Sequence, residues 1–202
     1  MLQIKPPTTS NERGVTLVEL VIVLSLTLVI GTAFYTFFKT NLFTYLNLQK
    51  DASNFTDLAG QSQRIGNVLR GLTDITDVQD DEMTLYGYFF PTDTYVSLIR
   101  YYKSTDGKKV YADVTQMTSN PPLGTTIPSS KKTYTIISNF KNVSGVKLFE
   151  YLDSSGAAQT LPISDLHSIK GLKVNLAVST ATNTTNQAVS VQVSLRNRKT
   201  NL

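Results

Sequence analysis

From Leu20 to Phe38 the chain reads LVIVLSLTLVIGTAFYTFF, a run of 19 residues without a charged side chain. As a helix rising about 1.5 Å per residue, such a run spans roughly 28 Å, close to the thickness of a bilayer's hydrocarbon core. A secretory signal has a shorter apolar stretch, with a small-residue cleavage site on its far side. Here no such site follows the run, and the small residue Gly14 precedes it instead. A helix held in lipid is the expectation, and one residue jars with it. Glu19 is the only charged side chain between Val15 and Phe38. A carboxylate at mid-membrane costs about 2.5–3.5 kcal/mol on insertion scales, less near the interface, and usually marks function. The plain alternative is an interfacial acid that merely reaches to water.

The helical pattern does not stop at the membrane. Beyond Lys39 the apolar residues Leu48, Phe55, Leu58, Ile65, Leu69 and Leu72 recur at intervals of three, four and seven. That spacing predicts an amphipathic continuation with one face for a globular domain, capped near Gly71 and stopped by the acidic TDITDVQDDE. One helix of about 55 residues is expected, with residues 1–14 as a basic, turn-rich leader containing Lys5 and Arg13. From Met83 the period changes to two. MTLYGYFF, TYVSLIRYYK, KVYADVTQ, KTYTIISNF and VKLFEYL read as strands, with a hairpin turn at Asp106-Gly107 and a further link at KNVSG. Residues 118–130, TSNPPLGTTIPSS, form a loop that breaks the sheet. Leu172, Val174, Leu176 and Val178 alternate with polar or small residues, as do Val189, Val191, Val193 and Leu195 across the polar link ATNTTNQ. Strands of this kind have one buried and one wet face. The fold class is α+β, a long N-terminal helix packed on an antiparallel sheet. Residues 15–44 form the membrane half-helix and 45–202 a single globular head able to fold without it.

Several chemistries are excluded or weakly supported. The chain has no cysteine, so it makes no disulfide, and its single histidine, His167, cannot form a histidine cluster. The formal charge of +4 is spread rather than gathered in a basic run, which argues against dedicated nucleic-acid binding. Asp74, Asp77, Asp80, Asp81 and Glu82 offer oxygen ligands for calcium, but their spacing fits no EF-hand loop, and a solvated helix-to-strand connection is the expected reading. Lys108, Lys109, Lys131 and Lys132 are candidate contacts to DNA phosphates, with strand-edge protection the blander reading. The tyrosines of LYGYFF and IRYYK are expected in the core and at subunit contacts rather than in an adhesive patch. No GxSxG elbow or comparable arrangement supports a hydrolase. No enzyme activity, cofactor or metal is expected.

The residues RGVTLVEL carry a resemblance. A Gly, then an apolar residue, Thr, two apolar residues and Glu, leading into a long apolar helix, resembles the processing motif of type IV prepilins and pseudopilins. Val15 stands where that family usually has Phe, and Thr36 where its major pilins often carry a helix-softening Pro. The resemblance implies that prepilin peptidase cuts between Gly14 and Val15 and N-methylates Val15. It further implies that the Glu19 carboxylate pairs with the N-terminal amine of a neighbouring subunit. A carboxylate in low dielectric is strongly favoured by a nearby ammonium. Leu195, Arg196 and Asn197 are similar to the ending of minor pilins of the PilW type and of J-type pseudopilins.

The expected function is therefore a structural minor pilin-like subunit of a type IV pilus. The alternatives are a pseudopilin of a type II secretion or competence system and, outside that machinery, a membrane-anchored binding module. The implied partners are other pilin subunits, prepilin peptidase, the inner-membrane assembly platform and membrane lipid; DNA or a host surface has no support in the residues. The implied location is the cytoplasmic membrane before assembly, and an extracellular pilus or cell-envelope pseudopilus after it.

Overall fold

The computed structural model describes residues 14–180 and 187–195. The leader residues 1–13, the link at 181–186 and the Arg196–Asn197 ending lie outside the described residues. The chain divides at Leu46/Asn47 into two compact units. In the first, residues 17–46 of helix α1 (Leu17–Arg70, 54 residues) form one continuous helix through Thr36. Every described residue of this unit is exposed.

In the second unit the rest of α1 packs against two antiparallel sheets. The helical face is shorter than its periodicity predicts. Leu58, Ile65, Leu69 and the following Leu72 are buried at 0–2% exposure, but Leu48 and Phe55 remain 60% and 45% exposed. The apolar stripe thus runs on past the surface it packs against. Gly71 ends the helix without a left-handed cap. Its N–H is shared between the carbonyls of Asn67 and Val68.

The acidic segment is a solvated connection only at residues 79–81; residues 74–78 form a strand. β1 (Asp74–Val78) pairs with β2 (Glu82–Gly87), because Ile75 and Val78 turn toward the core while the acids turn outward. β3 (Ser97–Lys103), β4 (Val110–Gln116) and β5 (Lys132–Ile137) complete a five-stranded meander. Its register lines up inward-facing rows. Ile75, Leu85, Ile99 and Val114 stand side by side, and Val78, Met83, Tyr101 and Ala112 form the next row. Cross-strand rows of this kind are the unit of sheet stability.

One sheet was expected from the strand pattern; the chain builds two. β6 (Phe149–Leu152), β7 (Gly171–Val178) and β8 (Gln187–Ser194) form a separate three-stranded sheet. KNVSG therefore does not close a hairpin. It carries the chain from one sheet to the other, tied by the Phe140–Val178 bridge and by Lys141 N–H to the Ala177 carbonyl. In β7 and β8 the expected alternation holds: Leu172 faces Val193, Val174 faces Val191 and Leu176 faces Val189. The helix approaches this sheet closely at Gly66, where an added Cβ would stand 3.1 Å from Val191 Cγ1.

Tyr151 locks the two sheets together. Its hydroxyl donates to the Gln79 carbonyl at 2.7 Å and accepts from the Gln79 N–H at 3.2 Å. The side chain is 1% exposed, and burial raises the phenol's pKa well above its ordinary value. Tyr151→Phe would strand a carbonyl at the sheet junction, so a loss of about 1–3 kcal/mol is expected in urea unfolding. An unchanged midpoint would show that this bond does not hold the sheets together.

Candidate functional site

The exposed N-terminal helix is the element that calls for a partner. The apolar side chains of residues 17–46 are exposed, and the most apolar window has a mean hydropathy of 2.4 with none of it buried. The helix is long and apolar enough to cross a membrane.

Thr16 starts it. The Thr16 hydroxyl accepts the Glu19 backbone N–H at 3.2 Å, and the Thr16 carbonyl takes the N–H of Leu20 at 3.1 Å. Thr16 is thus the N-cap, and Glu19 stands at the third helical position, the T-x-x-E spacing of a capping box. The same T-x-x-E spacing is visible in the sequence at Thr16 and Glu19. A carboxylate in the first turn is also favoured by the helix dipole, by about 0.3–1 kcal/mol at an exposed site.

The serine, threonine and asparagine residues between Ser25 and Thr44 carry their own partners. Ser25, Thr27, Thr32, Thr36, Thr40 and Thr44 each donate a hydroxyl to the carbonyl four residues back, at 2.8–2.9 Å, and the Asn41 amide does the same to Phe37. Local bonds of this kind let hydroxyls sit in hydrocarbon without a donor left bare. Thr32, Thr36, Thr40 and Thr44 recur every four residues and so lie along one side of the helix. Gly14 stands just before the helix, exposed, and a Cβ built on it meets nothing within 4 Å. Folding therefore places no demand for glycine there.

The other candidates are distributed through the head. The acids of 74–82 do not converge. Asp80 pairs with Lys147 at 3.0 Å, Asp81 with Lys103 and Glu82 with Arg100. Among the described residues no group of three or more His, Cys, Asp or Glu side chains is placed to hold a metal. Lys131 is bound to Asp113 at 2.8 Å, where it opposes burial. Burial works against the Asp113 charge, but the bonds from Lys131 and Thr133 outweigh it and hold the carboxyl below its ordinary pKa. Lys132 opens the edge strand β5, as edge protection would place it. Lys108 and Lys109 instead flank a hollow of about 520 Å³ with Lys50 and Lys141, two lysines that no sequence pattern had singled out.

Of the aromatic residues, Tyr101 and Phe89 are buried in the core, while Tyr88, Phe90 and Tyr95 are 37–43% exposed. The Arg64 guanidinium lies over the Phe89 ring at 4.4 Å, joining the helix to this cluster. His167 is exposed in a short turn after Asp165, whose carboxylate accepts the His167 N–H.

Residues 9–35 match the family model of the prokaryotic N-terminal methylation motif. The match spans Gly14, Val15 and Glu19 and agrees with the resemblance to type IV prepilins drawn from RGVTLVEL. No curated protein matches the chain.

Proposed function

We propose that this chain is a structural, non-catalytic minor subunit of a type IV pilus, cut between Gly14 and Val15, methylated on Val15, and assembled through its N-terminal helix. The observation that carries the reading is the exposed apolar helix with one carboxylate in its first turn, inside a matched methylation motif. Cleavage at Gly14 would leave the Val15 amine next to the N-cap, against the positive end of the helix dipole. Both the ammonium and the helix end then favour a carboxylate nearby, and Glu19 of a neighbouring subunit supplies one. Apolar helices would bundle in the filament core, with the head outward. The cytoplasmic membrane holds the subunit before assembly, and its partners are other pilin subunits, prepilin peptidase and the assembly platform. A pseudopilus of a secretion or competence system would use the same processing and helix.

The mature protein is expected to begin at Val15 with a methylated amine, as read by mass spectrometry of membrane-extracted protein. Gly14→Glu should leave the precursor uncut while the head unfolds at an unchanged urea concentration, because residue 14 packs against nothing. An intact Met1 terminus in the mature fraction, or a cut after Phe38, would refute the processing.

A further inference from the structure

Residues 17–46 carry two charged side chains, Glu19 and Lys39, set 20 positions apart. Both are exposed, and among the described residues neither has an ion pair. Each stands in apolar company that is exposed with it. Leu17, Val18, Leu20 and Val21 surround Glu19, and Phe37, Phe38, Leu42 and Phe43 surround Lys39. A second helix that covers either set covers the charge as well, and a charge taken out of water needs a counter-charge.

The places of the two charges on the helix decide which arrangement of copies supplies one. At 3.6 residues per turn and 1.5 Å per residue, their separation is a rise of roughly 30 Å and a net rotation of roughly 200°. Glu19 and Lys39 therefore point to nearly opposite sides. Parallel copies at one level leave each carboxylate roughly 30 Å from the nearest lysine, with only carboxylates at its own height. An antiparallel pair brings both charges to the right heights. It needs them on the single face that it buries, however, and they lie on opposite faces. A parallel copy displaced by roughly 30 Å along the axis sets Lys39 level with Glu19, and the two side chains then face each other with little rotation.

We infer that the N-terminal helix associates with a second copy of this chain in a parallel register staggered by 20 residues, Lys39 of one copy meeting Glu19 of the next. The inference rests on the proposed assembly through this helix and gives that assembly a register. Because the two charges use opposite faces, every copy keeps one face for a further copy. The contact is thus heterologous and continues as an open row instead of closing as a dimer. The Glu19 carboxylate has two oxygens, so Lys39 of one neighbour does not displace the Val15 amine of another. Polar contacts inside apolar bundles set register more than they add stability. The stagger also matches the hydrocarbon thickness of a bilayer, roughly 30 Å. In a membrane, where all copies sit at one depth, the two groups stand at opposite interfaces; they meet once a copy has moved outward by its own span.

The chain has no native cysteine, so introduced thiols report single contacts. Leu26 and Leu46, two helical turns beyond Glu19 and Lys39, face each other in the same stagger, and both are exposed. The full chain is purified in detergent as Leu26→Cys and as Leu46→Cys. The two are mixed, moved to detergent-free buffer so that the helices must cover one another, and oxidised. A disulfide needs its Cα atoms within about 7 Å, so the links read the register. Links between positions 26 and 46 should outnumber those within either position about tenfold. The chain carrying both cysteines should give a ladder of dimers, trimers and longer species. Adding Lys39→Gln should lower the preference about tenfold, and the charge exchange Glu19→Lys with Lys39→Glu should restore it.

Equal links at all pairings, or an excess of 26–26 and 46–46 links, would overturn the register. A ladder that stops at the dimer would overturn the open row. A preference that survives Lys39→Gln, or that the charge exchange fails to restore, would overturn the ion pair. Incorporation into sheared filaments is read separately. A chain that keeps the register but stays out of filaments would refute the subunit reading alone, and one that enters filaments without the register would refute this inference alone.

Discussion

Glu19→Ala is expected to remove most of the protein from sheared filaments while leaving its insertion and processing intact. Helix initiation survives the change, because Thr16 caps the backbone N–H of residue 19 and not its side chain. What is lost locally is the carboxylate's favourable place in the first turn, about 0.3–1 kcal/mol. Insertion becomes easier, since a charge leaves the hydrocarbon. At the proposed subunit contact, where Glu19 would meet a neighbour's N-terminal ammonium, the balance would reverse. The neighbour's N-terminal ammonium would be left in low dielectric without a partner, and breaking a buried pair from one side costs roughly 3–5 kcal/mol. A difference of that size swamps the local terms. The measurement compares mature Glu19→Ala and unaltered protein in membranes and in sheared filaments. Equal incorporation would leave Glu19 as an interfacial acid with a capping role and nothing more.

Leu58→Ala should destabilise the head by about 2–5 kcal/mol, the range for emptying a tightly enclosed aliphatic site. Leu58 is 0% exposed and shares one core cluster with residues from both sheets, including Ile137 and Val178. Leu48→Ala, ten residues earlier on the same helix, should leave head stability within about 0.5 kcal/mol, because Leu48 is 60% exposed. Urea unfolding of both variants in detergent, followed by tyrosine near-ultraviolet signal, separates them. Similar losses in the two would mean that the head's packing extends further along α1 than the buried residues indicate.

The contrast between Leu48 and Leu58 shows what could be read ahead of the structure. The long helix was legible because its causes are local, namely a run of apolar residues, then an apolar residue every three or four positions. Where the stripe stops being covered is decided by strands more than twenty residues away, so Leu48 and Phe55 looked like core. The last two strands, β7 and β8, were legible from alternation alone. β1 was hidden by its composition, since the acids of TDITDVQDDE outweigh Ile75 and Val78 in any reading of polarity. The division into two sheets was hidden for another reason. KNVSG has the chemistry of a turn, and only the pairing of Phe140 with Val178, 38 residues apart, sends the chain across instead of back. The N-terminal site stood in eight contiguous residues, RGVTLVEL, whereas the lysine-lined hollow is assembled from a helix, a hairpin and an inter-sheet crossing. No local pattern could have joined Lys50 to Lys108 and Lys141.

Because the hydroxyls of Ser25, Thr27, Thr32, Thr36, Thr40 and Thr44 all find acceptors within their own helix, the helix has the same internal bonding in any apolar surroundings. Moving it from a bilayer into a bundle of like helices exchanges acyl chains for side chains and alters no hydrogen bond along those residues. The partition between the two media is then governed by shape and by the charged groups of Glu19 and Lys39. A segment built this way can be drawn out of one oil and seated in another by degrees, without passing through a state in which a serine or threonine hydroxyl stands alone.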